Sequence, residues 1–179
     1  MRSYLYLSNG EVFPGTSLSY HGEVAGDLLL YSSPSFRFQI LTDPACLGKI
    51  VVADSDTIED RRPMVSEIES FSPHLNVLVI SGKLRPPRAH DNAHDLVNYL
   101  ASNLIALFLP DQPDRLLTAI RHSGRLQATL TTVARDVREI ATNDGQWRAT
   151  SMPCRRPVGT GRDPIRALST SLEFIWDMP

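Results

Sequence analysis

Short apolar runs alternate with polar breaks over residues 1–133 and predict a series of buried strands. The runs cover residues 4–7, 28–31, 49–53, 76–81 and 104–109, and a partly alternating segment covers residues 125–133. Runs of this length between turn-forming residues are typical of strands that are buried on one or both faces. The intervening residues 54–63 and 82–90 carry charges and prolines, and we expect them to be loops.

A β-hairpin is predicted at the start of the chain. Asn9-Gly10 separates the apolar run at residues 4–7 from residues 11–13. This dipeptide favours a two-residue turn in which both positions take positive φ. Pro14 and Gly15 are expected to end the second strand.

The pattern changes to helical spacing twice after residue 90. Asn92 followed by Asp95 is similar to a capping box and predicts a helix that begins near residue 91 or 92. Residues 110–113 and Ser123-Gly124 have the composition expected at the start and the end of a second helix. The apolar faces are Leu96, Tyr99 and Leu100 in the first helix, and Leu116, Leu117 and Ile120 in the second. Strands followed by helices predict an α/β or α+β domain of two layers.

Residues 134–179 are predicted to be a C-terminal extension of the domain formed by residues 1–133. Residues 152–164 are rich in Pro, Gly and Arg, which is typical of a linker. Residues 165–178 carry one apolar face and are predicted to form a short docking helix.

Composition narrows the functional classes. The chain has 179 residues, 42% hydrophobic and 21% charged, with a net charge of −2. It can therefore fold without a disulfide or a metal, and it has no general bias toward nucleic acid or anionic membranes. No signal-peptide core is present at the N-terminus, and no apolar run is long enough to span a bilayer, so we expect a soluble, cytoplasmic protein.

Several sequence blocks carry a family likeness. Residues 5–15 and 22–30 each place glycines beside a strand, and Ile40-Leu41-Thr42-Asp43-Pro44 leads into the strand at residues 49–52. The further blocks are residues 77–80, 94–100, 114–124 and 126–131. In order and spacing, these blocks resemble the N-terminal domain of the small subunit of glutamine-dependent carbamoyl-phosphate synthetase.

The resemblance implies a swivelling β/β/α domain with a sheet-rich body and flanking helices. In that family this domain has no catalytic residues of its own, and it holds the small subunit against the large synthetase subunit. The glutaminase chemistry belongs to the domain that follows. Residues 133–179 are too few to hold such a domain, so we expect a free-standing module without glutaminase activity.

Two loops depart from the family pattern. Residues 35–39 replace a T-G-Y-Q-E segment, and residues 54–58 replace a Y-P-x-I-G-N segment. Loops carry much of the function of a domain. This change motivates an alternative hypothesis, a small biosynthetic enzyme of specialised metabolism with a new site in these loops. Under it, Arg37, Asp43, Asp54 and His21 are the weak catalytic candidates.

Other candidate sites have structural explanations that we favour. His90 and His94 are spaced to share a helix face and bind a metal, but helix capping explains their acidic neighbours and no third ligand is evident. Asp43 is expected to hold a turn, Arg37 to be solvated between two aromatic residues, and Cys46 to be a small buried thiol. No cofactor or metal is expected.

The leading hypothesis is a non-catalytic docking module. It would bind a synthetase- or amidotransferase-like chain, or self-associate as a homo-oligomer. A regulator that binds a nucleotide or an amino acid is a third reading, with no motif to support it.

Overall fold

The computed structural model describes residues 1–19, 22–70, 72–85 and 95–134. The predicted linker at 152–164 and docking helix at 165–178 lie outside this part, so the division of the chain into domains stays a prediction. The described strands are β1 (Arg2–Leu7), β2 (Val12–Ser17), β3 (Glu23–Ser32), β4 (Ile50–Asp54), β5 (Thr57–Glu59), β6 (Val77–Ile80), β7 (Lys83–Arg85), β8 (Ala106–Pro110) and β9 (Gln127–Thr131). The described helices are α1 (Asp95–Ser102) and α2 (Pro113–Ser123), with 3-10 turns at Phe38–Leu41, Pro44–Cys46 and Val65–Glu67.

Most of the strands close into a barrel in the order β1-β2-β8-β6-β4-β3-β9. The strands β3, β4, β6 and β8 run parallel to one another, and the remaining pairs in the barrel are antiparallel. The last of the described strands, β9, pairs with both β1 and β3 and so completes the closure. The strands β5 and β7 form a separate two-stranded parallel sheet.

Alternate residues of the parallel strands enter two different hydrophobic clusters. Ile50 and Val52 of β4 belong to the inner cluster, to which every barrel strand contributes. Val51 and Ala53 of the same strand belong to an outer cluster that includes α1 and the 3-10 turns Phe38–Leu41 and Pro44–Cys46. Both faces of β4 are therefore buried, which explains its continuous apolar sequence.

Each helix covers a different cluster. The helix α1 places Leu96 and Leu100 in the outer cluster, and both side chains are fully buried. The helix α2 contributes Leu116, Leu117 and Ile120 to the inner cluster. Its observed bounds agree with the predicted start within residues 110–113 and the predicted end at Ser123-Gly124.

A buried carboxylate from another part of the chain supports the start of α1. Asp60 is only 2% exposed, and its carboxylate accepts a hydrogen bond of 3.2 Å from the backbone N–H of Leu96. The N–H groups of a first helical turn have no partner within the helix, and a negative charge is favourable there. Asp60 thereby joins the segment after β5 to α1.

The first hairpin forms as predicted, but with a different turn. Gly10 takes a φ of 91°, whereas Asn9 keeps a negative φ. The backbone of Leu7 bonds to both Gly10 and Glu11, as in a turn followed by a glycine bulge. Only one position of the turn therefore needs positive φ.

The expected end of the second strand at Pro14 and Gly15 is wrong, because β2 continues to Ser17. Pro14 still takes part in pairing through its carbonyl, which accepts a hydrogen bond from Asp111. A Cβ atom on Gly15 would lie 2.3 Å from the carbonyl oxygen of Leu109, so glycine permits β8 to approach closely.

The two expected loops also need correction. Residues 54–63 contain β5, and residues 82–90 contain β7, which pair in register from Thr57 with Lys83. Each of these strands is too short and too charged to show an apolar run. Ile58 is fully buried in the outer cluster, and this burial holds the small sheet in place.

The α/β class is supported at the level of a sheet-dominated domain with few helices.

Gly82 allows the segment between β6 and β7 to lie close to the connection between β4 and β5. A Cβ atom at this position would lie 1.9 Å from the carbonyl oxygen of Ser55 and 2.7 Å from that of Asp56. Both neighbours are backbone atoms, so a side chain here could be accommodated only by moving the connection between β4 and β5.

We predict that Gly82→Ala lowers the free energy of unfolding by roughly 1–3 kcal/mol, because overpacking forces backbone shifts of this cost. Urea denaturation followed by circular dichroism measures the change. Lys83→Ala, at an exposed neighbouring position of β7, is the control and should change the free energy of unfolding by less than about 0.5 kcal/mol. Equal stability of Gly82→Ala and wild type would contradict the close approach.

Candidate functional site

The carboxyl ends of β3 and β4 meet beside a shallow cleft. The cleft has a volume of about 270 Å³ and is lined by Ser32, Ser33, Pro34, Asp54 and Asp56. The carboxyl ends of parallel strands are a common location for ligand sites in sheets covered by helices. One of the sequence-predicted residues, Asp54, thus lies in a cleft.

Asp54 is held by two neighbours from distant parts of the chain. Its Oδ2 accepts a 2.9 Å hydrogen bond from the hydroxyl of Ser32, which is its register partner in β3. The guanidinium of Arg121, from the last turn of α2, forms an ion pair with the same oxygen. The sequence does not indicate Arg121, because it follows Asp54 by 67 positions. Through these contacts, Asp54 joins α2 to the barrel.

Asp43 holds a turn, as the sequence indicates. Its Oδ1 accepts a 2.8 Å hydrogen bond from the backbone N–H of Ala45 and caps the 3-10 turn Pro44–Cys46. The preceding Thr42 is buried, and its hydroxyl accepts a hydrogen bond from the backbone of Glu69. The Thr-Asp-Pro segment therefore joins two loops.

The remaining candidates do not gather around Asp54. Arg37 is exposed and precedes the 3-10 turn Phe38–Leu41. Phe36 and Phe38 pack edge to face with a centroid distance of 5.4 Å on either side of it. His21, His90 and His94 lie outside the described residues, so their catalytic and metal-binding roles stay predictions.

Cys46 is fully buried, in agreement with the expectation of a small core thiol. Burial raises the pKa of this thiol, and the nearby charge of Asp43 adds to the effect. A cysteine nucleophile needs a lowered pKa and access to substrate. Cys46 has neither property.

An ion-pair cluster that sequence reasoning missed holds the turn at residues 61–67, which we call the 61–67 turn. Arg61 forms two hydrogen bonds with Glu67, at 2.7 Å and 2.5 Å, and a third with Glu59 at 2.9 Å. The Arg61 guanidinium also lies 4.4 Å from the ring centroid of Phe38. Glu67 Oε2 accepts a hydrogen bond from the backbone N–H of Met64 and so closes the turn.

These contacts change the ionisation of both partners. The hydrogen bonds from Arg61 lower the pKa of Glu67, against an opposing effect of partial burial. The same bonds raise the pKa of Arg61. The pair therefore stays charged over the whole neutral range.

A second, smaller cleft lies between the 61–67 turn and α1. Its volume is about 120 Å³, and its lining residues are Arg62, Asn98, Tyr99, Ser102 and Asn103. The Arg62 guanidinium lies 5.8 Å from the ring centroid of Tyr99. Burial raises the pKa of Tyr99, so its hydroxyl is neutral. Arg62 is the charged side chain among the described residues that line this cleft.

A family described as Carbamoyl-phosphate synthase small chain, CPSase domain, matches residues 5–130. The chain belongs to this family. The matched region begins in β1 and ends in β9, so it covers the whole barrel. The resemblance inferred from the sequence blocks is thereby confirmed.

Individual members of the CPSase small-chain family are similar to this chain in sequence, at modest identity. The carbamoyl phosphate synthase small chain of Syntrophotalea carbinolica is 24% identical over 98% of this chain and 44% of its own length. The small chain of Clostridium perfringens is 28% identical over 73% of this chain and 37% of its own length. That of Neisseria meningitidis is 30% identical over 67% and 32%, respectively. This CPSase-family chain thus spans less than half the length of these relatives.

No helix in the described part of this CPSase-family domain combines the length and the apolarity needed to cross a membrane.

We predict a small but measurable coupling between Asp54 and Arg121. Their side chains are 23% and 53% exposed, so solvent weakens the pair, and a coupling of about 0.2–1 kcal/mol is expected. A double-mutant cycle with Asp54→Asn and Arg121→Met in urea measures it. The more exposed pair Arg115–Glu11, at 3.5 Å, is the control and should couple less. Additive effects at Asp54 and Arg121 would contradict the contact.

The Arg61–Glu67 pair predicts a pH dependence of stability. The pKa of Glu67 is lowered in the folded protein from an ordinary value of 4.5, so its contribution is full above that value. The contribution is lost as the pH falls through the lower folded pKa. The stability difference between wild type and Glu67→Gln should therefore be largest near neutral pH and disappear in acid. Glu69→Gln is the control. A stability difference that stays constant as the pH falls below 4.5 would contradict this assignment.

Proposed function

We propose that this domain is a non-catalytic docking module of a multi-chain synthetase. The observation that carries the proposal is the family match over residues 5–130, since its relatives are named as small chains of carbamoyl phosphate synthase. A small chain is one component of a larger assembly. The partner is a synthetase- or amidotransferase-like chain, and association of the domain with itself is the weaker variant of the proposal.

The tasks of the acidic residues support a structural role for the barrel. Asp43 caps a 3-10 turn, Asp54 joins α2 to the carboxyl ends of β3 and β4, and Asp60 supports the start of α1. A general acid or base must instead direct its carboxyl group at a substrate. These carboxylates are engaged with the protein itself, in agreement with a domain that presents surfaces.

Two finer points belong to the same proposal. We infer the swivelling β/β/α arrangement of the family for this domain, with the barrel as its sheet-rich body. We also infer that it acts in the cytoplasm, where it would meet a biosynthetic partner. The family relationship does not favour the alternative of a small enzyme with a new site in residues 36–39 and 54–58.

Affinity purification of the tagged protein from its own host tests the docking function. We expect a synthetase- or amidotransferase-like chain to co-purify in a fixed ratio, identified by mass spectrometry, with the mass of the complex given by light scattering. The same experiment with the tag at the other terminus controls for blocked access. A monomer without a partner that turns over a metabolite would overturn the proposal in favour of the enzyme hypothesis.

A further inference from the structure

The 61–67 turn presents two neighbouring apolar side chains to solvent. Met64 is 58% exposed and Val65 is 79% exposed, the highest value among the large hydrophobic residues of the described part. Single exposed apolar residues are common on protein surfaces, but adjacent ones at the tip of a turn concentrate apolar area.

Several polar contacts hold the base of this turn in one conformation. Glu67 binds both Arg61 and the backbone N–H of Met64, and the Glu67 N–H donates in turn to the carbonyl of Met64 at 2.9 Å. The stacking of Arg61 on Phe38 anchors the base to the outer cluster. A surface that is already fixed in one conformation loses less entropy when a partner binds.

The smaller cleft adds charge selectivity beside the apolar tip. Arg62, two positions before Met64, gives the cleft a positive charge. The other polar lining residues, which supply amide and hydroxyl donors, are Asn98, Ser102 and Asn103. Among the described residues that line the cleft, none is acidic. A guanidinium with neighbouring neutral donors suits a carboxylate, which it can bind by two parallel hydrogen bonds.

We propose that the 61–67 turn and the adjoining cleft form the docking surface for a segment of the synthetase-like chain. The segment has apolar side chains that cover Met64 and Val65, next to an Asp or Glu whose carboxylate enters the cleft and pairs with Arg62. This inference rests on the proposed docking function and specifies its partner face. The surface places two exposed apolar side chains beside one arginine, and interfaces commonly have an apolar centre with a polar surround.

Calorimetric titration with the purified large chain of the host's carbamoyl phosphate synthase tests the surface. We expect Val65→Asp and Arg62→Glu each to weaken binding by at least about tenfold, as for central interface residues. Higher salt should weaken wild type more than Arg62→Glu, because screening acts on the ion pair. Leu47→Asp is the matched control, since Leu47 is 58% exposed in the turn before β4, and its affinity should equal that of wild type.

The outcomes separate the two proposals. Tight binding by wild type and by both turn variants would overturn the surface and leave the docking function intact. A wild type that does not bind would overturn the docking function, and this surface with it. A wild-type oligomer that Val65→Asp converts to monomers would show that a second copy occupies the surface, and would also overturn it.

Folding of each variant is checked by circular dichroism and thermal unfolding. If Val65→Asp does not fold, Val65→Ser replaces it and is expected to weaken binding in the same direction. A large loss of thermal stability in Val65→Ser, with unchanged binding, would show that the turn packs on its own chain and would overturn the inference.

Discussion

The structure depends on parallel strands that separate two hydrophobic clusters. Ile50 and Val52 face the interior of the barrel. Val51 and Ala53 face the outer cluster, which includes α1 and two of the 3-10 turns. A slip of one residue in β4 would exchange these sets and place each side chain in a space shaped for another. Because the strand is packed on both faces, its register is fixed from two sides, and the loops at its carboxyl end start from a defined position.

Polar contacts then fix the positions of α2 and of the segments that follow β4 and β5. Asp60 links the segment after β5 to α1, Arg121 links α2 to Asp54, and Arg61 ties the 61–67 turn to Phe38. Several of these bonds are partly exposed, so each adds little to the overall free energy of folding. Their effect is geometric, since they hold exposed segments against a body that hydrophobic burial has already fixed.

The sequence predicted the elements that have a strong local signal. The apolar run before residue 54 and the proline and glycine around α2 defined those elements within a few residues. It missed β5 and β7, because each has a single inward apolar side chain and gains its identity only by pairing with the other. Asp54 was recognised as a candidate, but its partner Arg121 comes from a distant helix, and pairings of that kind depend on the tertiary fold. Barrel closure was likewise not predicted, since no local pattern reports that the first and last strands meet.

That closure has a consequence for how the chain reaches its native state. The strand β9 lies between β1 and β3, so Tyr4 pairs with Thr131, more than a hundred positions further along the chain. Contacts of such sequence separation slow folding, because a long loop must be ordered before they form. Without β9, the described barrel strands would leave β1 and β3 as two open edges, which can pair with foreign strands. Because β9 pairs with both β1 and β3, its docking removes both edges at once.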